Sequence, residues 1–441
     1  MIKLKAVQIA STTLSSLKNT AWILFDRIFR MTSSLIVGLW LAQYFGPEKY
    51  GLWSYAFLIP SILTPIVNLG LTNIIINKVG YLHQNERKKL LLTSFILRLT
   101  LAIIAYTFLN SLIIWAEKDV LLKTLILYTS SNLLVIPFEV IDLHFQTTNN
   151  AVKSIKAKSS AFIVGTAIKL YFLLNGAGIE SFAYTIIIEN ILSVTLLIIN
   201  YLEEKRSKVE FNFQPEFAKN LLKDSFPIMI SELLIYLYMR LDQYMIKYLS
   251  GNEELGLYSA AQKLSESWYF IAGALTTSFL PNIISQWNSN KELFYSKYQK
   301  LLNSLAIIAI MISIIVSLSS PIIENIIFRG KFNGVGLILS IHIWTGIPVF
   351  LGVGSNTLFI LNNLQKSILV RSFFGIAINL SLNLLLIPHF GAVGASIATL
   401  CSQIFTSYVI NYLYKNTREI FLMQTVALTF LLKLKVRTIF K

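Results

Sequence analysis

Twelve stretches of mostly apolar residues follow one another along the chain, each near the roughly 20 residues that carry a helix across a hydrocarbon core. They lie near 20–44, 53–77, 90–115, 120–145, 159–176, 181–201, 225–249, 256–283, 301–325, 335–362, 367–388 and 394–414. So much apolar surface cannot be hidden in one water-facing core. Of 441 residues, 55% are hydrophobic and 14% charged, where a soluble chain carries about a quarter charged. In lipid, backbone N–H and C=O groups must be satisfied within helices or a closed barrel. The alternating rhythm of barrel strands is missing. The predicted fold class is therefore an all-α membrane protein with about twelve transmembrane helices in two six-helix bundles.

Lys and Arg set the predicted orientation. The stretches 1–19, 78–89, 146–158, 202–224, 284–300, 363–371 and 415–441 carry 26 of the 38 basic residues. The opposite turns carry five: Lys49, Lys118, Lys123, Arg329 and Lys331. Excess basic charge marks the cytoplasmic side, so both termini are expected there, in a bacterial inner membrane. The net charge of +16 is thus a signature of topology, and no nucleic-acid partner is expected. Residues 1–18 read as a basic, amphipathic lead-in on the membrane surface, without the cleavage site of a signal peptide. Residues 420–432 read as a surface-lying helix, with a thirteenth span as the alternative.

The chain spells one turn twice. "FGPEKYGLWSYA" (45–56) returns as "SGNEELGLYSAA" (250–261), with Gly46, Glu48, Gly51, Leu52, Ser54 and Ala56 recurring 205 positions later. Each copy is the first turn of a six-span half. The predicted domains are 1–201, a cytoplasmic linker 202–224, a second bundle 225–414 and a basic tail 415–441. Two halves entered from the same side form a parallel repeat, as in several transporter folds.

Charges inside spans are costly and mark functional positions or pairs. In the first span Asp26, Arg30, Ser33 and Ser34 share a helical face, with Arg27 beside them. In the seventh, Glu232, Tyr236, Arg240, Gln243 and Lys247 form one stripe, with Asp242 on the opposite face. In the eighth, Ser259, Lys263 and Glu266 align. Asp26 with Arg30, and Lys263 with Glu266, read equally as ion pairs that offset insertion or as substrate contacts. Lys247, near a helix end, reads as a snorkelling residue. Arg240 has no acid one turn away and reads as a functional cation. Arg98, Lys169 and Glu189 fit either a cavity or local pairs.

Enzyme chemistry finds no footing. The lone Cys401 and the scattered His83, His144, His342 and His389 supply no metal or nucleophile constellation. The Gly330–Lys331 pair lacks the leading glycine of a phosphate-binding loop. No cofactor is expected, and nucleotide hydrolysis does not drive the protein. Pro60, Pro65, Pro137, Pro227, Pro281, Pro321 and Pro348 lie in or at the ends of spans, where they suit the broken helices of transporters.

The stretches "NTAWILFDRIFRMTSSLIVGLWLAQYFGPEKYGLWSYA" and "SFPIMISELLIYLYMRLDQYMIKYLSGNEELGLYSAAQKLSESWYFI" resemble the openings of the two halves of Wzx-type polysaccharide repeat-unit flippases. These belong to a superfamily that includes MATE antiporters and the lipid II flippase. The resemblance implies a V-shaped twelve-helix fold. It also implies outward transport of a polyprenyl-pyrophosphate-linked oligosaccharide by alternating access. The family's cavity cations carry over to Arg30, Arg240 and Lys263, with Arg27 a neighbouring candidate. Expected partners are the lipid-linked oligosaccharide, membrane lipids, and a polysaccharide polymerase with glycosyltransferases. Asp26, Glu232, Asp242 and Glu266 are candidates for binding a coupling H⁺ or Na⁺. The competing reading is a MATE-like exporter of cationic drugs. Such an exporter should have an acidic cavity, whereas the stripes hold five basic residues against four acidic.

Overall fold

Gly46 and Gly251 adopt positive φ, at 77° and 91°. The left-handed region is open to glycine and costs other residues roughly 1–2 kcal/mol. These glycines end the first helix of each half, which is why the turn is spelled twice. The computed structural model describes residues 2–79, 82–204 and 214–439. The middle of the predicted linker, 205–213, lies outside the described residues, as do the side chains on which the amphipathic reading of 1–18 rests.

No strand forms among the described residues. The helices are α1 (Ile2–Ser61), α2 (Thr64–Asn68), α3 (Leu71–Val79), α4 (Gln84–Ala116), α5 (Val120–Thr129), α6 (Asn132–Val135), α7 (Glu139–Thr147), α8 (Ala151–Leu174) and α9 (Ile179–Glu204). They continue as α10 (Pro215–Leu249), α11 (Gly251–Glu266), α12 (Tyr269–Ile284), α13 (Lys291–Phe328), α14 (Val335–His342), α15 (Gly346–Leu361), α16 (Gln365–Ile404), α17 (Ile410–Leu413) and α18 (Arg418–Ile439). α1 holds the first span and the start of the second, divided at Gly46; α16 holds the eleventh and the start of the twelfth, divided at Gly391. The helical segments therefore trace the twelve predicted spans and one further helix, α18.

Eight stretches of the described residues are long and apolar enough to cross a membrane, and two of these, Phe25–Asn68 and Val370–Leu413, each cover most of two predicted spans. The seventh and eighth predicted spans, formed by α10 and by α11 with α12, fall outside this set. Those two carry the densest polar stripes. Large apolar side chains such as Phe108, Trp115, Leu174, Leu318 and Ile326 stand exposed, the surface expected of a multi-pass membrane protein whose solvent is lipid.

The helix breaks repeat with the turns. α1 ends at Ser61 and α2 starts at Thr64; 205 positions on, α11 ends at Glu266 and α12 starts at Tyr269. A 3₁₀ turn at Ile136–Phe138 interrupts the fourth span, and another at Ile343–Thr345 interrupts the tenth. The repeat thus reaches well beyond the twelve residues that display it in sequence.

The chain divides into two units. The first comprises Met1–Leu41 and Trp53–Tyr236, the second Ala42–Leu52 and Leu237–Lys441. This grouping differs from the predicted boundary at 225, because the first half of α10 packs within the first unit. The left-handed break at Leu69–Gly70 sits against Ile228 and Met229, and Lys78 pairs with Asp224 at 3.4 Å. The first unit's buried clusters gather Leu71, Ile75, Val79, Leu90, Val140 and Leu221, and separately Val67, Ala102, Leu109 and Leu133. The second unit's core gathers Phe294, Tyr298, Leu302, Leu305, Phe350 and Phe359.

The segment read as surface-lying, 420–432, belongs to α18, whose Ile420, Met423 and Ala427 join that core. Gln424 explains the tighter seat. It is fully buried, accepts from Asn411 Nδ2 at 3.0 Å and donates to Ser355 Oγ at 2.9 Å. One face of this helix is therefore covered by protein rather than by head groups.

The second unit holds residues 45–52 of the first copy and all of the second, and these pack on one another. A Cβ added at Gly51 would lie 1.9 Å from the carbonyl oxygen of Asn252, and one at Gly256 1.9 Å from that of Pro47. Pro47 and Asn252 occupy the same place in the two copies, so the contact is reciprocal. At Gly46 and Gly251 an added Cβ meets nothing within 4 Å. Gly46→Ala and Gly251→Ala should each cost about 1 kcal/mol through φ alone. Gly51→Ala and Gly256→Ala should cost more, because backbone must shift. Thermal unfolding of the four purified variants checks the order, and the reverse order would dismiss the packed turns.

Candidate functional site

The polar side chains of the apolar helices form one connected network in the second unit and several separate groups in the first. In the second unit, α10 and α11 face each other through Arg240 and Glu266. The guanidinium donates to both carboxylate oxygens, Nη2 to Oε2 at 3.0 Å and Nη1 to Oε1 at 3.4 Å. Two parallel bonds of this kind fix orientation as well as energy. Gln262 Nε2 donates to the same carboxylate at 2.8 Å, and Gln243 Nε2 donates to Gln262 Oε1. Arg240, read as a functional cation with no acid one turn away, thus has a carboxylate partner from the next helix.

Asp242 lies on the other side of α10, as its position in the sequence requires. It is 2% exposed and accepts from the Tyr258 hydroxyl, from Thr399 Oγ1 at 3.0 Å and from the backbone N–H of Gln243 at 2.8 Å. Beside it the Tyr258 and His342 rings meet edge to face at 5.6 Å. His342 Nδ1 shares a hydrogen bond with Ser265 Oγ at 3.0 Å, while its Nε2 is buried without a partner. Lys263 is half-buried on α11. Lys247 donates to Asn252 Oδ1 in the turn that follows α10.

In the first unit, Asp26 is 5% exposed and bridges two groups: Arg30 Nη2 donates to it at 2.6 Å and Ser159 Oγ of α8 at 2.6 Å. Arg27 is exposed. Glu232 accepts from Asn73 Nδ2 of α3 at 3.3 Å, and Ser61 shares a hydrogen bond with Tyr236. The stripe drawn along α10 is therefore divided, its N-terminal part in one unit and its C-terminal part in the other. Lys169 pairs with Glu189 at 2.9 Å, and Lys158 with Asp142, to which Ser154 also donates.

Arg98 is the side chain whose role the spacing did not reveal. It is wholly buried on α4, and it reaches the break between α2 and α3. Its Nε donates to the carbonyl of Asn68 at 3.3 Å and its Nη2 to Thr72 Oγ1 at 2.8 Å. Carbonyls at a helix end need partners, and in an apolar setting Arg98 supplies one. The adjacent Leu69 and Gly70, a helix end with positive φ, were the available signal.

Comparison with known proteins identifies the family. The polysaccharide biosynthesis protein family matches residues 16–335. The chain belongs to that family. No curated protein matches the sequence. Solved structures share the fold at low identity. An inward-facing multidrug resistance MATE family transporter of the MOP superfamily is similar with a TM-score of 0.71, at 15% identity over 90% of this chain and 96% of that one. The lipid II flippase MurJ in an inward closed conformation gives 0.67 at 17% identity, over 93% and 92%. A MOP superfamily transporter from Pyrococcus furiosus gives 0.65 at 14% identity, over 93% and 96%. This member of the polysaccharide biosynthesis protein family thus has the MOP-superfamily fold in an all-helical, multi-pass membrane chain.

Removing the Arg98 clamp should be costly, since hydrogen bonds to charged groups contribute roughly 1.5–3 kcal/mol and their loss strands a carbonyl. Arg98→Gln is expected to destabilise the protein by about 2 kcal/mol. Arg27→Gln, at an exposed position, should stay within about 0.5 kcal/mol. Thermal unfolding of both variants in one detergent checks the contrast.

Proposed function

We propose that this MOP-type protein is a flippase for polyprenyl-pyrophosphate-linked oligosaccharide units destined for O-antigen, capsule or exopolysaccharide. It moves them outward across the cytoplasmic membrane by alternating access, with both termini in the cytoplasm. The observation that carries this reading is the polysaccharide biosynthesis family match over residues 16–335. The polar side chains within the apolar helices support it, since a transporter of a charged head group needs cations where the chain is otherwise oily.

Arg30 and Arg27 in the first unit, and Arg240 and Lys263 in the second, are the cations proposed for the pyrophosphate, each unit's set by itself. Arg offers planar, bidentate donors suited to phosphate oxygens. Arg30 and Arg240 rest on Asp26 and Glu266, so binding is an exchange of anions. The pyrophosphate takes the guanidinium, and the released carboxylate takes H⁺ or Na⁺. Asp26 and Glu266 are thereby the foremost coupling candidates, with Glu232 and Asp242 as further ones. Neighbouring glycosyltransferases and a polymerase are the expected functional partners.

The test is flipping of a labelled polyprenyl-diphosphate oligosaccharide in proteoliposomes. Wild type is expected to expose the label on the far side. Folded Arg240→Ala should be slower by at least about tenfold, the equivalent of roughly 1.4 kcal/mol. Undiminished flipping by that variant would remove Arg240 from the mechanism. Dye efflux by wild type without any flipping would replace the reading with that of a cation exporter.

A further inference from the structure

We propose that Arg371 anchors a phosphate-binding site in the second unit, taking the phosphate or diphosphate head of a membrane lipid. Arg371 lies in the first turns of the eleventh span, on α16. Its Nε and Nη1 are buried and meet no hydrogen-bond acceptor. Its guanidinium sits 4.5 Å from the centre of the Phe359 ring of α15. One turn further along the same helix face, a Cβ on Gly375 would lie 2.5 Å from the Thr406 methyl and 2.9 Å from the Tyr238 ring. This face of α16 is therefore enclosed by other elements of the second unit. The nearby polar pair, the Tyr238 hydroxyl and Thr406 Oγ1, is already joined at 3.0 Å.

Other cations in the apolar helices are held differently. Arg30, Lys158, Lys169 and Arg240 each rest on a carboxylate. Among the described residues Arg371 has no carboxylate within ion-pair distance and no hydrogen bond. An arginine does not lose its proton to escape such a position. The Phe359 ring attracts the guanidinium by its face but satisfies none of its N–H donors. Those donors lie in the plane of the guanidinium, and their forked geometry matches phosphate oxygens. The charge bias of the sequence assigns 363–371 to the cytoplasmic side, where anionic lipid heads gather. Two sources share the chemistry, a polyprenyl diphosphate and a phospholipid. The polyprenyl source rests on the flippase reading above; the anion site does not.

The full chain in phosphatidylcholine nanodiscs tests this, with polyprenyl diphosphate, phosphatidylglycerol and uncharged polyprenol as probes. Binding is read by native mass spectrometry and by the rise in melting temperature. Wild type should bind the diphosphate, the phosphatidylglycerol or both, and gain little from polyprenol. Arg371→Gln should weaken that binding at least about tenfold, and Arg371→Lys should restore part of it. Without added anion, Arg371→Gln should melt no lower than wild type, because it removes an unpaired cation. Preference for the diphosphate would assign the site to the carrier lipid; equal loss of both would assign it to bilayer head groups. Unchanged binding in folded Arg371→Gln would overturn the site. So would a melting temperature that falls in that variant without loss of binding, which marks a purely structural residue. Nanodisc binding does not depend on flipping, so a chain that binds at Arg371 yet fails to flip in proteoliposomes refutes only the transport reading.

Discussion

An ionised side chain in hydrocarbon must find a partner, and that demand joins charges of the apolar helices into pairs. Removing one member of a desolvated pair leaves the other uncompensated, which is far worse than removing both. Arg240 with Glu266, Arg30 with Asp26 and Lys169 with Glu189 are therefore joined units of the fold rather than separate residues. They also constrain the helices. α10 and α11 cannot slide past each other without separating two parallel hydrogen bonds. The seventh and eighth spans are the ones that fail a simple criterion of apolarity, and their polar atoms are satisfied partly by one another and partly by other helices.

The same demand governs the backbone. Breaking a helix inside lipid exposes carbonyls that no water can reach. The break at Leu69–Gly70 is tolerated because Arg98 donates to the Asn68 carbonyl. The breaks at Thr64 and Tyr269, and the 3₁₀ turns at 136–138 and 343–345, recur in matching places of the two halves. A repeated break is more informative than a repeated residue. It shows that the halves share a backbone path although few side chains persist, with Pro137 inside one 3₁₀ turn and Pro348 beyond the other.

Much of this was legible in the sequence, for definite reasons. Span length is fixed by bilayer thickness, so the apolar runs were readable without any knowledge of contacts. The paired turns were readable because each needs a glycine for φ and another for close approach, which leaves little freedom to drift. Asp26 with Arg30 was readable because both sit on one helix, four apart. Arg240 with Glu266 was not, because 26 positions and a turn separate them. Arg98 was visible only as a buried cation, since its acceptors belong to a helix break that hydropathy does not register. Gln424 lay in an apolar run that read as interfacial, and its two partners, Asn411 and Ser355, belong to different helices. Arg371 was counted among loop cations, because basic residues at span ends ordinarily reach water. Its seat beside Phe359 depends on how α15 and α16 pack.

Local neutrality has a consequence for any ligand. An anion that reaches Arg240 meets a guanidinium whose donors already serve Glu266, so two negative groups compete for one cation. On the flippase reading proposed above, the displaced carboxylate is where a coupling cation would go. That proposal links uptake of a phosphate to uptake of a cation through a single side chain. Arg371 differs in kind, because no carboxylate of the described chain has to leave before an anion arrives. A site of that sort holds its ligand without releasing a counter-charge and so supplies attachment without coupling. An uncoupled cation near one end of a span and ion-paired cations elsewhere would divide capture of a lipid head from the energetics of moving it.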